Sequence, residues 1–128
     1  MSKTSINVTK LIHEHKILKQ FMDEMIEDGD EFGIVHELGV HQAFRICFEL
    51  AWKIMKHFLV MEGIKASSPR DVIKKAFTIK LIDRPELWLD FYEKHTGLGK
   101  YNQKKITAVV AVCDLFVLEI DKIIERMK

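Results

Sequence analysis

Apolar residues recur along this chain at spacings of three and four, the period of an α-helix, and no stretch of useful length alternates as a strand would. The first stripe runs through positions 8, 11, 12, 18, 22, 25 and 26 and is closed by Asp28-Gly29-Asp30. A second helix begins near Ile34 and carries two stripes. One is Leu38, Phe48, Trp52, Met55 and Leu59; the other is Phe44, Cys47, Ala51, Ile54, Phe58 and Met61. Two stripes predict two buried sides, as in a central bundle helix or one that also meets a partner subunit. Glu62-Gly63 ends this helix, and Gly39 weakens its start slightly.

Ser68-Pro69-Arg70-Asp71 reads as a helix start, with serine at the N-cap, proline in the first position and an acid in the first turn. That short helix is expected to reach about Lys80. Asp83-Arg84-Pro85-Glu86 repeats the signal and opens a helix through Tyr92 to about His95, which Gly97-Leu98-Gly99 must break. After Asn102, a plausible N-cap, comes the cleanest stripe: 106, 109, 110, 113, 116, 117, 120, 123, 124 and 127. The pattern predicts an all-α chain with three long helices and two shorter ones, most simply an antiparallel bundle of the four-helix type, in one domain spanning residues 1–128.

Composition narrows the function classes. The 128 residues carry 20 basic and 19 acidic side chains, so a general nucleic-acid coat is not expected, although a local patch is compatible with these numbers. Cys47 and Cys113 both fall in apolar stripes and read as structural thiols in a reducing cytosol. With no membrane-length apolar run and no apolar segment in MSKTSINVTK, the expectation is a cytoplasmic protein away from membranes. Neither His13 and His15 nor His36 and His41 have the i, i+4 spacing of helical metal ligands, so they read as surface or boundary residues, with no metal or other cofactor expected. There is no glycine-flanked serine and no phosphate loop.

The feature with chemical content is a polar row inside the second helix. Gln42, Arg45, Glu49, Lys53 and Lys56 share one side, beside Phe48 and Trp52. The row is either a solvated face or a polar cleft. A second constellation, Lys94-His95-Thr96-Gly97-Leu98-Gly99-Lys100-Tyr101-Asn102, reads as a solvated turn or as a positive patch extended by Lys104 and Lys105.

An ordered series of residues then points to a family. Gln42-x-Phe44, Phe48-Glu49-Leu50-Ala51-Trp52-Lys53, Gly63, Ser68-Pro69-Arg70-Asp71-Val72-Ile73, Ala76-Phe77, Leu81-Ile82-Asp83 and Trp88 resemble the nucleotidyltransferase substrate-binding protein family of the HEPN superfamily. The resemblance is close over about residues 40–102. It implies a homodimeric helical bundle that pairs with a minimal nucleotidyltransferase encoded nearby, in systems where several relatives are ribonuclease toxins. The toxin signature of those relatives places its arginine at Lys94, its polar residue at His95, its histidine at Gly99 and its tyrosine at Tyr101, where relatives accept a nucleotide. Lys94 lacks the planar fork of arginine, and Gly99 has no imidazole to act on a ribose hydroxyl.

The sequence thus yields three expectations, the last of them a structural dimer whose cleft is empty. In the first, the chain is a binding subunit without nuclease activity: Arg45, Lys53 and Lys94 meet phosphate, Trp52 or Tyr101 stacks on a base, and Gln42 and Glu49 bond sugar or base edges, all in one cleft, unless Glu49 serves only to neutralise a neighbouring cation. Its ligand is a nucleotide or RNA. In the second, it is a metal-independent endoribonuclease using Lys94 and His95.

Overall fold

The apolar rows become five α-helices: α1 (Lys3–Asp28), α2 (Ile34–Met61), α3 (Pro69–Thr78), α4 (Pro85–Thr96) and α5 (Gln103–Met127). The computed structural model describes residues 3–28, 34–96 and 103–127, and among these there is no strand. The expected asparagine cap at Asn102, the Gly97–Gly99 breaker and Gly29-Asp30 lie outside the described residues, as do the side chains at 25, 26 and 127.

The start and stop signals act as their chemistry requires. Ser68, in extended backbone, accepts a hydrogen bond on its hydroxyl from the Asp71 amide, while Pro69 occupies the first turn of α3. At the end of α2, Gly63 takes φ 76°. Its amide donates to Val60 O at 3.0 Å and that of Ile64 to Leu59 O at 2.8 Å, which returns two orphan carbonyls to partners. The same closure ends α3 at Thr78, two residues before the expected Lys80. Lys80 itself sits at φ 63° while the Leu81 amide donates to Ala76 O at 3.0 Å. A lysine in this left-handed conformation is strained in a way Gly63 is not.

α2 is the central element and touches all four other helices. Its two stripes supply Phe44, Cys47, Phe48, Ala51, Ile54, Met55 and Leu59 to the core. The stripe ends differ from expectation: Leu38 and Met61 are 39% and 60% exposed. Gly39 also has a role the propensity argument missed. A Cβ added to it would lie 2.8 Å from the Phe21 ring, so glycine lets α1 and α2 approach. Phe21 meets Gly39 while Lys10 shares a groove with Arg45 and Lys53, so the two helices run antiparallel.

His15 corrects a second expectation. It is buried, not a boundary residue, and completes the α1 row 8, 11, 15, 18, 22. Its Nε2 lies 3.2 Å from Val117 O and 3.3 Å from Asp121 Oδ1, tying α1 to α5. Cys47 and Cys113 are free and buried, and burial first of all pushes each thiol up to about 12. Among the described residues no helix is long and apolar enough to cross a membrane.

α4 is held by aromatic contacts. Phe91 meets Phe116 edge-on at 5.0 Å and Trp88 meets Phe48 at 6.2 Å. Beneath them is a polar clasp. The Trp88 indole N–H donates to Glu119 Oε1 at 3.1 Å, and Lys122 Nζ donates to Glu119 Oε2 at 3.0 Å. Lys122 and Arg126 both reach Asp83, at 3.6 and 3.5 Å, and Arg126 donates to Leu81 O at 2.8 Å. The clasp fixes the turn between α3 and α4 on α5, and so sets which way the last turn of α4 faces.

Candidate functional site

The polar row of α2 is divided by its neighbours. Gln42, Arg45, Glu49 and Lys53, with Ile46 and Leu50, line a groove of about 270 Å³ whose far rim is Lys10 of α1. Lys56 continues the same face but opens into a different concavity, with Lys65, Ser67, Asp71 and Lys75. The row is therefore no plain convex face.

The Glu49 carboxylate is the one acidic group in this lining. Oε1 is 3.6 Å from Lys53 Nζ. Oε2 accepts from the Trp52 indole N–H at 3.3 Å and lies 3.0 Å from His95 Nε2. His95 reaches this point from the last turn of α4, its ring 4.9 Å from that of Phe48. Nε2–H faces the carboxylate; Nδ1 is buried and has no partner among the described residues. Burial is the main influence on the imidazole and lowers its pKa, Glu49 opposing it and Arg45 adding to it. His41, one turn before Arg45, is lowered by burial and by the same guanidinium.

Lys94 goes elsewhere. One residue along a helix is a turn of about 100°, so Lys94 and His95 face different neighbours. Lys94 Nζ donates to both Asp90 oxygens, at 2.9 and 3.0 Å. It lines a separate concavity of about 240 Å³ with Glu93, Lys105 and Ala108. The expectation of one cleft containing both Arg45 and Lys94 is thus corrected: His95, not Lys94, joins the α2 row. Tyr101 and Gly99 lie outside the described residues. Trp52 is half-buried and packs on the core, with its indole N–H on Glu49.

Lys10 was missed by sequence reasoning, because its place depends on how α1 crosses α2. Chemically, the groove offers three cationic side chains around one carboxylate that is itself engaged by an indole, an ammonium and an imidazole. Such a surface suits a phosphate-bearing ligand with hydrogen-bonding edges. Among the described residues no group of three or more His, Cys, Asp or Glu side chains is placed to hold a metal.

Comparison with known proteins gives a consistent result. The sequence profile described as nucleotidyltransferase substrate binding protein like matches residues 7–128. A probable ribonuclease HepT of Haemophilus influenzae is 27% identical over 96 residues, covering 70% of this chain and 66% of that protein. Two solved structures share the fold. HI0074 of Haemophilus influenzae, described as having the fold of a substrate binding domain of a nucleotidyltransferase, superimposes with a TM-score of 0.82 at 23% identity, covering 93% of this chain and 97% of that one. The ttk003001694 protein of Thermus thermophilus gives 0.80 at 20% identity, covering 92% and 98%.

Proposed function

From the premise that the chain belongs to the nucleotidyltransferase substrate binding protein like family, we propose that it is the nucleotide-binding accessory subunit of a two-component minimal nucleotidyltransferase system of toxin–antitoxin type. It acts in the cytoplasm as a homodimer beside a nucleotidyltransferase partner. The observation that carries the reading is the α1–α2 groove, whose lining sets Lys10, Arg45 and Lys53 against the single acid Glu49. Arg45 offers its fork to a phosphate, and Gln42 supplies an amide to a sugar or base edge. Nuclease chemistry is absent in this reading because Gly99 stands where the toxin signature carries its histidine.

Calorimetric titration with ATP and UTP tests it. Arg45→Ala should weaken binding by about 1.5–3 kcal/mol, the loss of one hydrogen bond to a charged group. Unchanged affinity would leave the groove without this function. Sedimentation of the purified protein at micromolar concentration tests the dimer, and co-purification with the product of a neighbouring nucleotidyltransferase gene tests the pairing.

A second reading, a metal-independent endoribonuclease, draws on the 3.0 Å pairing of His95 with Glu49 and on the relative named a probable ribonuclease. In that reading Glu49 would orient the imidazole through Nε2, and proton exchange with the substrate would run through this Nε2–carboxylate pair, since Nδ1 is buried. Cleavage of a mixed RNA by the wild type, abolished in His95→Ala, would favour it over the binding subunit. Cleavage appearing only in Gly99→His would favour the binding subunit.

A further inference from the structure

We infer that the corner where α2, the 62–68 link and α3 meet is a second phosphate-binding site, and that the ligand spanning it and the α1–α2 groove is a single-stranded polynucleotide; the choice of ligand rests on the nucleotide reading of that groove. The corner is a concavity of about 480 Å³ lined by Lys56, Lys65, Ala66, Ser67, Asp71 and Lys75. Its charges do not cancel. The one carboxylate in this lining, Asp71, accepts from the Ser67 amide at 3.3 Å and pairs with Lys75 Nζ at 3.3 Å. Lys75 is fixed further by donating to Lys65 O at 2.6 Å. Lys56 and Lys65 have no carboxylate partner among the described residues. Three ammonium groups around one occupied acid repel metal cations. With Ala66 the only apolar side chain in the lining, an apolar ligand has little to bury against. An anion is the ligand that fits.

The class of anion follows from α2. Lys53 closes the groove and Lys56 opens the corner, on the same face of one helix. Arg45 to Lys56 rises about 16 Å at 1.5 Å per residue, farther than one phosphate group reaches. A chain of phosphates covers both concavities. A rigid duplex keeps its phosphates on a fixed path and cannot follow a row whose walls change from α1 to α3; a single strand bends into it.

Anisotropy titrations of fluorescein-labelled oligothymidylates of 5 and 15 nucleotides over a salt series test the inference; DNA survives any ribonuclease activity. The variant is Lys56→Ala/Lys65→Ala, two surface changes whose folding is checked by thermal melting, with ATP calorimetry as the groove control. The 15-mer should bind the wild type more tightly than the 5-mer. In the double variant its affinity should fall about tenfold or more, and the slope of log affinity against log salt should flatten by about 1.4, or about 0.7 per lost contact. ATP affinity should stay as in the wild type. An unchanged slope and affinity in the variant overturns the corner site. So does an equal loss of ATP and 15-mer binding, which would mean one shared site. Failure of the wild type to bind the 15-mer also overturns it, and the ATP titration then still decides the groove by itself.

Discussion

Two glutamates in this molecule keep the same company. Glu119 accepts from the Trp88 indole and pairs with Lys122 at i+3; Glu49 accepts from the Trp52 indole and pairs with Lys53 at i+4. Their settings differ. The Glu119 side chain is 3% exposed and that of Glu49 is 41% exposed. In the closed clasp, each polar group reaches a fixed partner across elements, and the product is geometry: the α3–α4 turn held on α5. In the open groove, Glu49 is shared by three contacts that water reaches, in a lining that also holds Arg45 and Lys10. The same trio serves packing in one place and presents charge in the other, and enclosure by α4 and α5 makes the difference.

Removing each acid sharpens that contrast most. Glu119→Ala strands the Trp88 N–H in the core and leaves a void, so it should destabilise the fold by about 3 kcal/mol. Glu49→Ala, on a surface where water replaces the lost contacts, should cost less than about 1 kcal/mol. Urea unfolding compares them, and equal losses would collapse the distinction. Next in size is Gly39→Ala: its methyl group drives into the Phe21 ring and should cost about 2 kcal/mol, as overpacking does. The groove between the same two helices depends on that close approach, so nucleotide affinity should fall with it. Lys80→Gly should act oppositely, relieving left-handed strain and raising the urea midpoint by about 1 kcal/mol of stability, without touching either glutamate.

The smallest effect is a pH dependence. Burial holds the His95 pKa below its ordinary 6.5, so the unfolded chain takes up that proton first as pH falls. Stability present above pH 6.5 is therefore lost as pH drops from there through the lowered folded-state value. His41 contributes with the same sign. In His95→Gln the slope of urea midpoint against pH between 5 and 7.5 should flatten; an unchanged slope would assign the dependence to His41 or another group.

Local chemistry was legible in the sequence, and crossings between helices were not. The Ser68-Pro69-Asp71 start and the Glu62-Gly63 stop involve groups within six residues of one another, and both appear as read. The buried face of α5 follows its periodicity at 106, 109, 113, 116, 120 and 123. Glu119 was illegible because its indole partner lies 31 residues away. His15 could have been found: it fills the gap between Leu11 and Leu18, but a polar residue in an apolar row does not announce its acceptor. For the candidate site, the row 42, 45, 49, 53 was readable from spacing alone. The direction of Lys94 against His95 was not, since about 100° of helix rotation separates them and only the packing of α4 decides which one meets Glu49.

The two indoles give the molecule a built-in optical division of labour. Trp88 is sealed in the core, so its emission reports whether the fold is intact. Trp52 shares an oxygen of Glu49 with His95, so its emission should change when a ligand or a proton alters that shared contact. With Trp52→Phe and Trp88→Phe as separate references, one fluorimeter trace resolves occupancy from unfolding, without an attached dye.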